Sequence, residues 1–270
     1  MIIRDFFEQD NIKIFDRDIE ENHADYNSQG LDSLYTQEEK HFWFVARKEL
    51  ILKSMQKYIA KEEKIIEIGA GTGNISRYLQ KNEYQNISVG EIHLNGLKYA
   101  QDYGIKECYQ FNLLDIPFED EFDTVCMFDV LEHIKEDDFA LQNVNKSLRK
   151  RGKAVFTVPS HMWLWNRNDA IVGHKTRYTK KKLINKLKDN GFEILTARYF
   201  FISIIPLLFL RTILNRDDKS EVKKTEFSNE ISMNSLFSNI LLFISRVENK
   251  INQFLPNIFG GSLLIIARKK

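Results

Sequence analysis

Short apolar runs alternate with segments of helical period through the middle of the chain. The run IIEI at 65–68 predicts a first strand, and Ile75, Tyr78 and Leu79 follow at helical spacing. ISVGE at 87–91 predicts a second strand, with a helix through Leu94, Leu97 and Ala100 behind it. Residues 106–111 predict a third strand. FDTVCMF at 122–128 predicts a fourth, apolar nearly throughout, as a central parallel strand is. Leu141, Val144 and Leu148 predict a helix ended by Gly152, and KAVFTV at 153–158 a fifth strand. A loop at 159–178 leads to a basic helix capped by Thr179, with Leu183, Ile184 and Leu187 inward and Gly191 at its end. FEILTARYF (192–200) and SLLIIAR (262–268) predict the sixth and seventh strands. Between them lie helical patterns near 202–214 and 235–255. The second gathers Leu236, Ile240, Phe243, Ile244, Val247, Ile251 and Phe254 on one stripe. Ile51, Met55, Tyr58 and Ile59 mark a helix before the first strand.

Alternating strands and helices predict a doubly wound α/β fold of seven strands, the last antiparallel. The expected organisation is an N-terminal lid and leading helix at 1–63, a Rossmann-like core at 64–200, a helical insert at 201–260, and the last core strand at 261–270. The length of 270 residues agrees with one large domain or a domain plus a cap. With 43% apolar and 29% charged residues, disorder is excluded as the main state. Two cysteines, Cys108 and Cys126, exclude a disulfide scaffold and read as buried free thiols in a reducing compartment.

The net charge of +1 supplies no field for nucleic acid, and none is expected as a partner. The distribution is uneven. Residues 1–40 hold 11 acids against 4 bases, and residues 173–188 hold 7 bases and no acid. The opening MIIRDFFEQD has acids where a secretory leader needs an apolar core. The longest apolar run, 199–210, is 12 residues and contains Pro206, short of the roughly 20 needed to span a bilayer. A cytoplasmic protein is expected. Two readings of the run and the 236–254 stripe stand: mutual packing with the sheet, or peripheral contact with the inner face of a membrane aided by the basic helix. The polar segment 217–226 reads as a mobile loop, and the oligomeric state is not legible.

The sharpest chemical feature is Glu67-Ile-Gly69-Ala70-Gly71-Thr-Gly73-Asn74, between an apolar strand and a helix. Glycines let a backbone approach a ligand closely, and the following helix N-terminus favours a negative group. The third glycine of the dinucleotide fingerprint is replaced by Asn74. Glu67 would repel a pyrophosphate and attract an ammonium, so the ligand is cationic at that end. Glu91 ends the second strand 22 residues after Gly69, where an acid accepts hydrogen bonds from ribose hydroxyls. Asn112, after the third strand, offers a carbonyl to an exocyclic amine.

EIGAGTG, Glu91, NLLDIPF (112–118) and FDTVCMFDVLEHI (122–134) together resemble class I S-adenosylmethionine-dependent methyltransferases of the small-molecule type. HFWFVARKELI (41–51), the segment 158–183 and the terminal PNIFGGSLLIIARKK resemble a bacterial subgroup associated with cell-surface polysaccharide or lipid-linked sugar pathways. The resemblance implies S-adenosylmethionine as cofactor, with Glu67, Gly69, Ala70, Gly71, Gly73 and Asn74 around its methionyl part. It implies Glu91 and Ile92 at the ribose, Asn112 and Leu113 at the adenine, and Phe128 and Asp129 closing the pocket. Relatives usually have Asp where this chain has Asn112, which keeps an acceptor and loses the charge. Arg47 matches an arginine that meets the cofactor carboxylate in similar enzymes, and the aromatic residues before it suit a sulfonium.

The expected reaction is methyl transfer to an oxygen, or less readily a nitrogen, of a small or lipid-linked sugar-type acceptor. Such an acceptor loses a proton, and histidine has the suitable ordinary pKa. His174 in GHKTRY is the first candidate base and His133 the second. Trp43, His161, Trp165, Arg177 and Tyr178 are the expected acceptor contacts. No metal is expected, because the histidines, acids and cysteines fall at no recognised ligand spacing. Nucleic-acid amino-methylation is disfavoured, since no Pro-Pro-aromatic run follows the fourth strand. Two rival classes are a nicotinamide-dependent oxidoreductase and a non-catalytic cofactor-binding protein on the same fold.

Overall fold

The computed structural model describes residues 1–16, 29–214, 235–251, 254 and 257–270. The segment 217–226 lies outside them.

The elements run β1 (Phe7–Gln9), β2 (Ile12–Ile14), α1 (Gln29–Gln37), α2 (Phe42–Met55), β3 (Ile65–Ile68), α3 (Asn74–Gln80), β4 (Ile87–Glu91), α4 (Leu94–Asp102) and β5 (Glu107–Gln110). They continue β6 (Phe122–Phe128), α5 (Asp137–Ser147), β7 (Leu148–Pro159), α6 (Arg167–Ile171), α7 (Lys180–Asp189), β8 (Phe192–Phe200), α8 (Ile205–Leu214), α9 (Ser235–Ile251) and β9 (Ser262–Lys269). One sheet takes the order β1-β2-β5-β4-β3-β6-β7-β9-β8. The strands β2, β5, β4, β3, β6 and β7 run parallel to one another, β1 pairs antiparallel with β2, and β9 runs antiparallel between β7 and β8.

The seven expected strands are present, and β9 is antiparallel as expected. Among the described residues the sheet nevertheless has nine strands, because β1 and β2 extend its β5 edge. Three-residue strands are too short for periodicity to register. A second correction concerns Leu148 and Gly152. Helix α5 stops at Ser147, Leu148 pairs with Phe122 at the start of β7, and Gly152 lies inside that strand rather than ending a helix.

Strand alternation fills two layers of core. Ile66, Ile68, Val125, Met127, Ala154, Phe156 and Val158 face α5 and α7. Their neighbours Ile65, Cys126, Phe128 and Val155 face α2 and α3. A sheet covered on both faces explains why β6 reads as apolar throughout. Both cysteines are free and buried, and burial raises the Cys108 thiol to about 12.

Of the two readings of the apolar stripe, the exposure of its residues favours an outward face over packing on the sheet. In α9 the buried positions are Ser238, Leu241, Ser245 and Glu248, whereas Leu236, Ile240, Phe243, Ile244, Val247 and Ile251 are exposed. Glu248 accepts hydrogen bonds from the amides of Ile202 and Ser203, and Ser238 Oγ accepts one from Phe42 N at 3.1 Å. Leu207, Phe209, Leu210 and Ile213 of α8 are exposed as well. Among the described residues, no helix is long and apolar enough to cross a membrane.

Candidate active site

The glycine loop leaves the carboxyl end of β3 and enters α3 with Gly73 as N-cap. Gly69 adopts φ +69°, and a Cβ there would lie 2.5 Å from a Val130 methyl, so the loop presses on the turn after β6. Gly73 serves a different purpose. At φ +78° its missing Cβ would lie 2.8 Å from Ala100 Cβ, so it admits α4 rather than a ligand. Expected among the cofactor contacts, it does not line the adjoining cavity.

That cavity opens at the carboxyl ends of β3, β4 and β6, where an open α/β sheet places its ligand. Its walls contain Arg47, Glu67, Gly69, Ala70, Gly71, Asn74, Glu91, Ile92, Asn112, Leu113, Phe128 and Asp129, as the sequence leads one to expect. The structure adds Leu31, Leu34 and Glu38, together with Phe44, Thr72, Phe111, Val130 and Ile134. The spacing of Leu31, Leu34 and Glu38 is one helical face, but nothing local marks that face as a cover for a glycine loop 40 residues away.

Three buried carboxylates define the cavity's chemistry. Glu67 accepts from Ser76 N at 3.0 Å and from Ser76 Oγ. Burial pushes its pKa up to about 7 against the opposing pull of Ser76 and Arg47, with Glu38 adding to the rise. Glu91 accepts from the amides of Gly71 (2.8 Å), Ile92 (2.8 Å) and His93 (3.2 Å), yet burial still raises its carboxyl. Glu38, bonded by the Thr72 hydroxyl, is raised by burial too. Carboxylates that burial disfavours gain from a ligand that brings positive charge or hydroxyl donors. An ammonium and ribose hydroxyls fit; a pyrophosphate does not. Asn112 departs from its expected role in detail. Its Oδ1 accepts from Leu114 N at 2.9 Å, and its own N–H donates to Asp16 Oδ2 at 2.8 Å.

At the end of β6, Asp129 takes a left-handed conformation, φ +56°, uncommon for a residue with a side chain. Its Oδ1 accepts from Thr157 Oγ1 at 2.9 Å, and Oδ2 pairs with Arg47. Leu34, Phe44, Arg47 and Asp129 line this cavity and also a second one. The second holds Trp43, Asp169, His174 and Arg177, with Leu207, Leu210, Arg211 and Phe237 toward α8 and α9.

In the second cavity Asp169 is 1% exposed and organises its neighbours. It accepts from Arg177 Nε at 2.8 Å and NH2 at 2.9 Å, and its Oδ1 lies 2.6 Å from His174 Nδ1. His133 lines the first cavity and His174 the second, with ring centroids 4.7 Å apart. Of the expected acceptor contacts, Trp43 and Arg177 face the second cavity. His161, Trp165 and Tyr178 line neither. His161 stacks on Tyr199 at 5.0 Å, and Tyr178 is buried with its hydroxyl donating to Asp137 Oδ2 at 2.8 Å. Both were drawn into an aromatic-rich loop that also has to pack on the sheet.

One further grouping escaped the spacing rules. Glu132, His133 and His174 bring ligand-type atoms within 4.8 Å of one another. They come from two loops, so no single segment shows them.

Residues 35–197 match the family model described as a methyltransferase domain, more than half of the chain. Among curated proteins, none matches the sequence. Solved structures share the fold at low identity. The Haemonchus contortus phosphoethanolamine N-methyltransferase 2 in complex with S-adenosyl-L-methionine superposes with TM-score 0.59 and 16% identity, over 92% of this chain and 59% of that one. A possible histamine N-methyltransferase from Thermotoga maritima gives 0.55 and 16%, over 90% and 100%. The cyclase SpnF gives 0.53 and 14%, over 81% and 79%. Likeness at this level speaks for the fold, whereas the family rests on the matched domain. The chain belongs to the methyltransferase-domain family.

Proposed function

We propose that the chain methylates an oxygen of a small or lipid-linked, sugar-type acceptor, of the kind used in bacterial cell-surface polysaccharide pathways, at the inner face of the membrane. The observation that carries this reading is the wall shared by the two cavities. Leu34, Phe44, Arg47 and Asp129 separate the acid-lined cavity from one with polar depth and apolar rim. A cofactor on one side and an acceptor on the other would meet at that wall.

The sulfonium of the cofactor supplies an activated methyl, so the protein's task is positioning and proton removal. Glu67 and Glu38 favour the ammonium end, Glu91 the hydroxyls, and Phe44 offers a ring face near Arg47. On the acceptor side, Asp169 holds the proton of His174 on Nδ1 and leaves Nε2 to receive the acceptor's proton. Arg177 steadies Asp169. The rim residues Leu207, Leu210 and Phe237 continue into the exposed apolar faces of α8 and α9, which supports an acceptor with a hydrocarbon part presented at a bilayer.

The test is incubation with methyl-labelled S-adenosylmethionine and either isoprenoid-linked saccharides or phosphoethanolamine. Label in the lipid-linked saccharide as a base-stable ether is expected. Label on the amine alone would overturn the oxygen-acceptor reading.

A further inference from the structure

The turn Leu131–His133 after β6 holds a buried carboxyl group that the hydrogen-bond network does not answer. Glu132 is fully buried, and neither of its carboxylate oxygens has a hydrogen-bond partner among the described residues. The nearby guanidiniums are committed elsewhere: Arg47 pairs with Asp129, and Arg177 grips Asp169 and reaches Ser160 O at 3.3 Å. A buried carboxylate in this state is costly unless a cation or a proton meets it.

The groups that do face Glu132 are imidazoles. His174 Nε2 lies 3.8 Å from Glu132 Oε1. The His133 ring stands edge-on to His174 at 76°. The two loops are tied together by Lys175 N donating to Glu132 O at 2.7 Å, so the arrangement does not depend on side-chain rotation alone. His174 is also oriented from behind. With Nδ1 bonded to the buried Asp169, its lone pair is at Nε2, on the side of Glu132. A carboxylate that fixes the far nitrogen of an imidazole is the usual outer support of a metal-ligating histidine.

We propose that Glu132, His133 and His174 bind one divalent transition-metal ion where the two cavities meet, with Asp169 as the support of His174. Two imidazoles and one carboxylate suit zinc and its first-row neighbours better than magnesium or calcium. Bonds of about 2.0–2.2 Å at tetrahedral angles place ligand atoms about 3.4 Å apart, so a set now spread within 4.8 Å closes by up to about 1.4 Å on binding. Three protein ligands leave a position open, and one of them, His174, lines the acceptor cavity. An acceptor hydroxyl at that position would be acidified by the ion. The inference rests on the proposed acceptor side and alters one role within it: in the metal-bound protein His174 Nε2 is a ligand, and the ion takes over acidification of the acceptor.

The experiment uses the full chain, stripped with a chelator and titrated calorimetrically with zinc chloride, without cofactor or acceptor. One saturable equivalent is expected, with magnesium chloride binding far more weakly. Cobalt chloride should give visible ligand-field absorption from the same site. Glu132→Gln, near in volume, and His174→Gln should each weaken binding at least about tenfold and change the cobalt spectrum. His161→Ala, outside the cluster, should bind as the wild type does. No stoichiometric binding by the wild type overturns the inference. So does unchanged affinity in folded Glu132→Gln or, should that variant fail to fold, in folded His174→Gln. Because no methyl transfer is measured, failure here leaves the acceptor reading intact, and a wrong acceptor leaves the metal result intact.

Discussion

The two cavities share four residues and little else. The first is built at the carboxyl ends of adjacent strands from short segments, Glu67–Asn74, Glu91–Ile92, Asn112–Leu113 and Phe128–Asp129. The second is assembled from α2, the loop after β7, α8 and α9, which lie far apart in sequence. In the first, strand register fixes where each side chain falls, and the backbone itself forms part of the wall. In the second, position depends on side-chain networks centred on Asp169. A site made by a sheet edge is therefore local in sequence, and a site made by an insert is not.

The largest expected effect separates the two regions. His174→Ala should lower turnover by about 100-fold or more, about 2.7 kcal/mol in the barrier, while leaving cofactor affinity nearly unchanged. Isothermal titration beside steady-state kinetics checks the split, and equal losses in both would merge the regions. Glu91→Ala should do the reverse, weakening cofactor binding by about 1–3 kcal/mol. Part of that loss is preorganisation, since Glu91 also holds the amides of Gly71, Ile92 and His93. Arg47 belongs to both walls, so Arg47→Ala should weaken cofactor binding about tenfold and reduce turnover as well, and Arg47→Lys should restore neither fully. Loss confined to one side would take Arg47 out of the shared wall.

A smaller effect is read against pH. The folded-state pKa of Glu67 is raised to about 7 from an unfolded value near 4.5, so the unfolded chain releases this proton first. Its contribution to stability therefore falls as pH rises from about 4.5 to about 7. Ser76 and Arg47 oppose the shift, and Glu38 reinforces it. An ammonium beside Glu67 favours the charged form, so cofactor affinity should rise through the same window. Glu67→Gln should flatten both curves, and unchanged curves in the folded variant would separate Glu67 from the ligand. The weakest expected effect is peripheral: flotation with anionic vesicles at low salt should recover the protein and lose it at high salt. Ile240→Glu with Phe243→Glu should abolish recovery, whereas no recovery of the wild type would detach the apolar helices from the bilayer.

The core strands and the walls of the first cavity were legible because alternation, glycine placement and strand-end acids are local consequences of backbone geometry. Tyr178 and His161 show the limit. Aromatic and titratable residues in a loop look alike to sequence whether they meet a ligand or pack on a sheet, and here both pack. Gly73 shows it again, since a glycine needed for helix packing and one needed for a ligand carry the same symbol.

By itself the sequence determined the parallel core, the antiparallel final strand, the glycine loop and the acids that suit an ammonium and ribose. Each follows from periodicity or from a conformational requirement satisfied within a few residues. Only the tertiary structure decided that β1 and β2 extend the sheet and that α1 covers the glycine loop. It also decided that Asp169 gathers His174 and Arg177, and that α9 turns Ser238, Ser245 and Glu248 inward with its apolar stripe outward. Periodicity identifies a helix and its stripe. Which stripe faces the protein depends on partners distant in sequence, here the amides of Ile202, Ser203 and Phe42, which donate hydrogen bonds to α9.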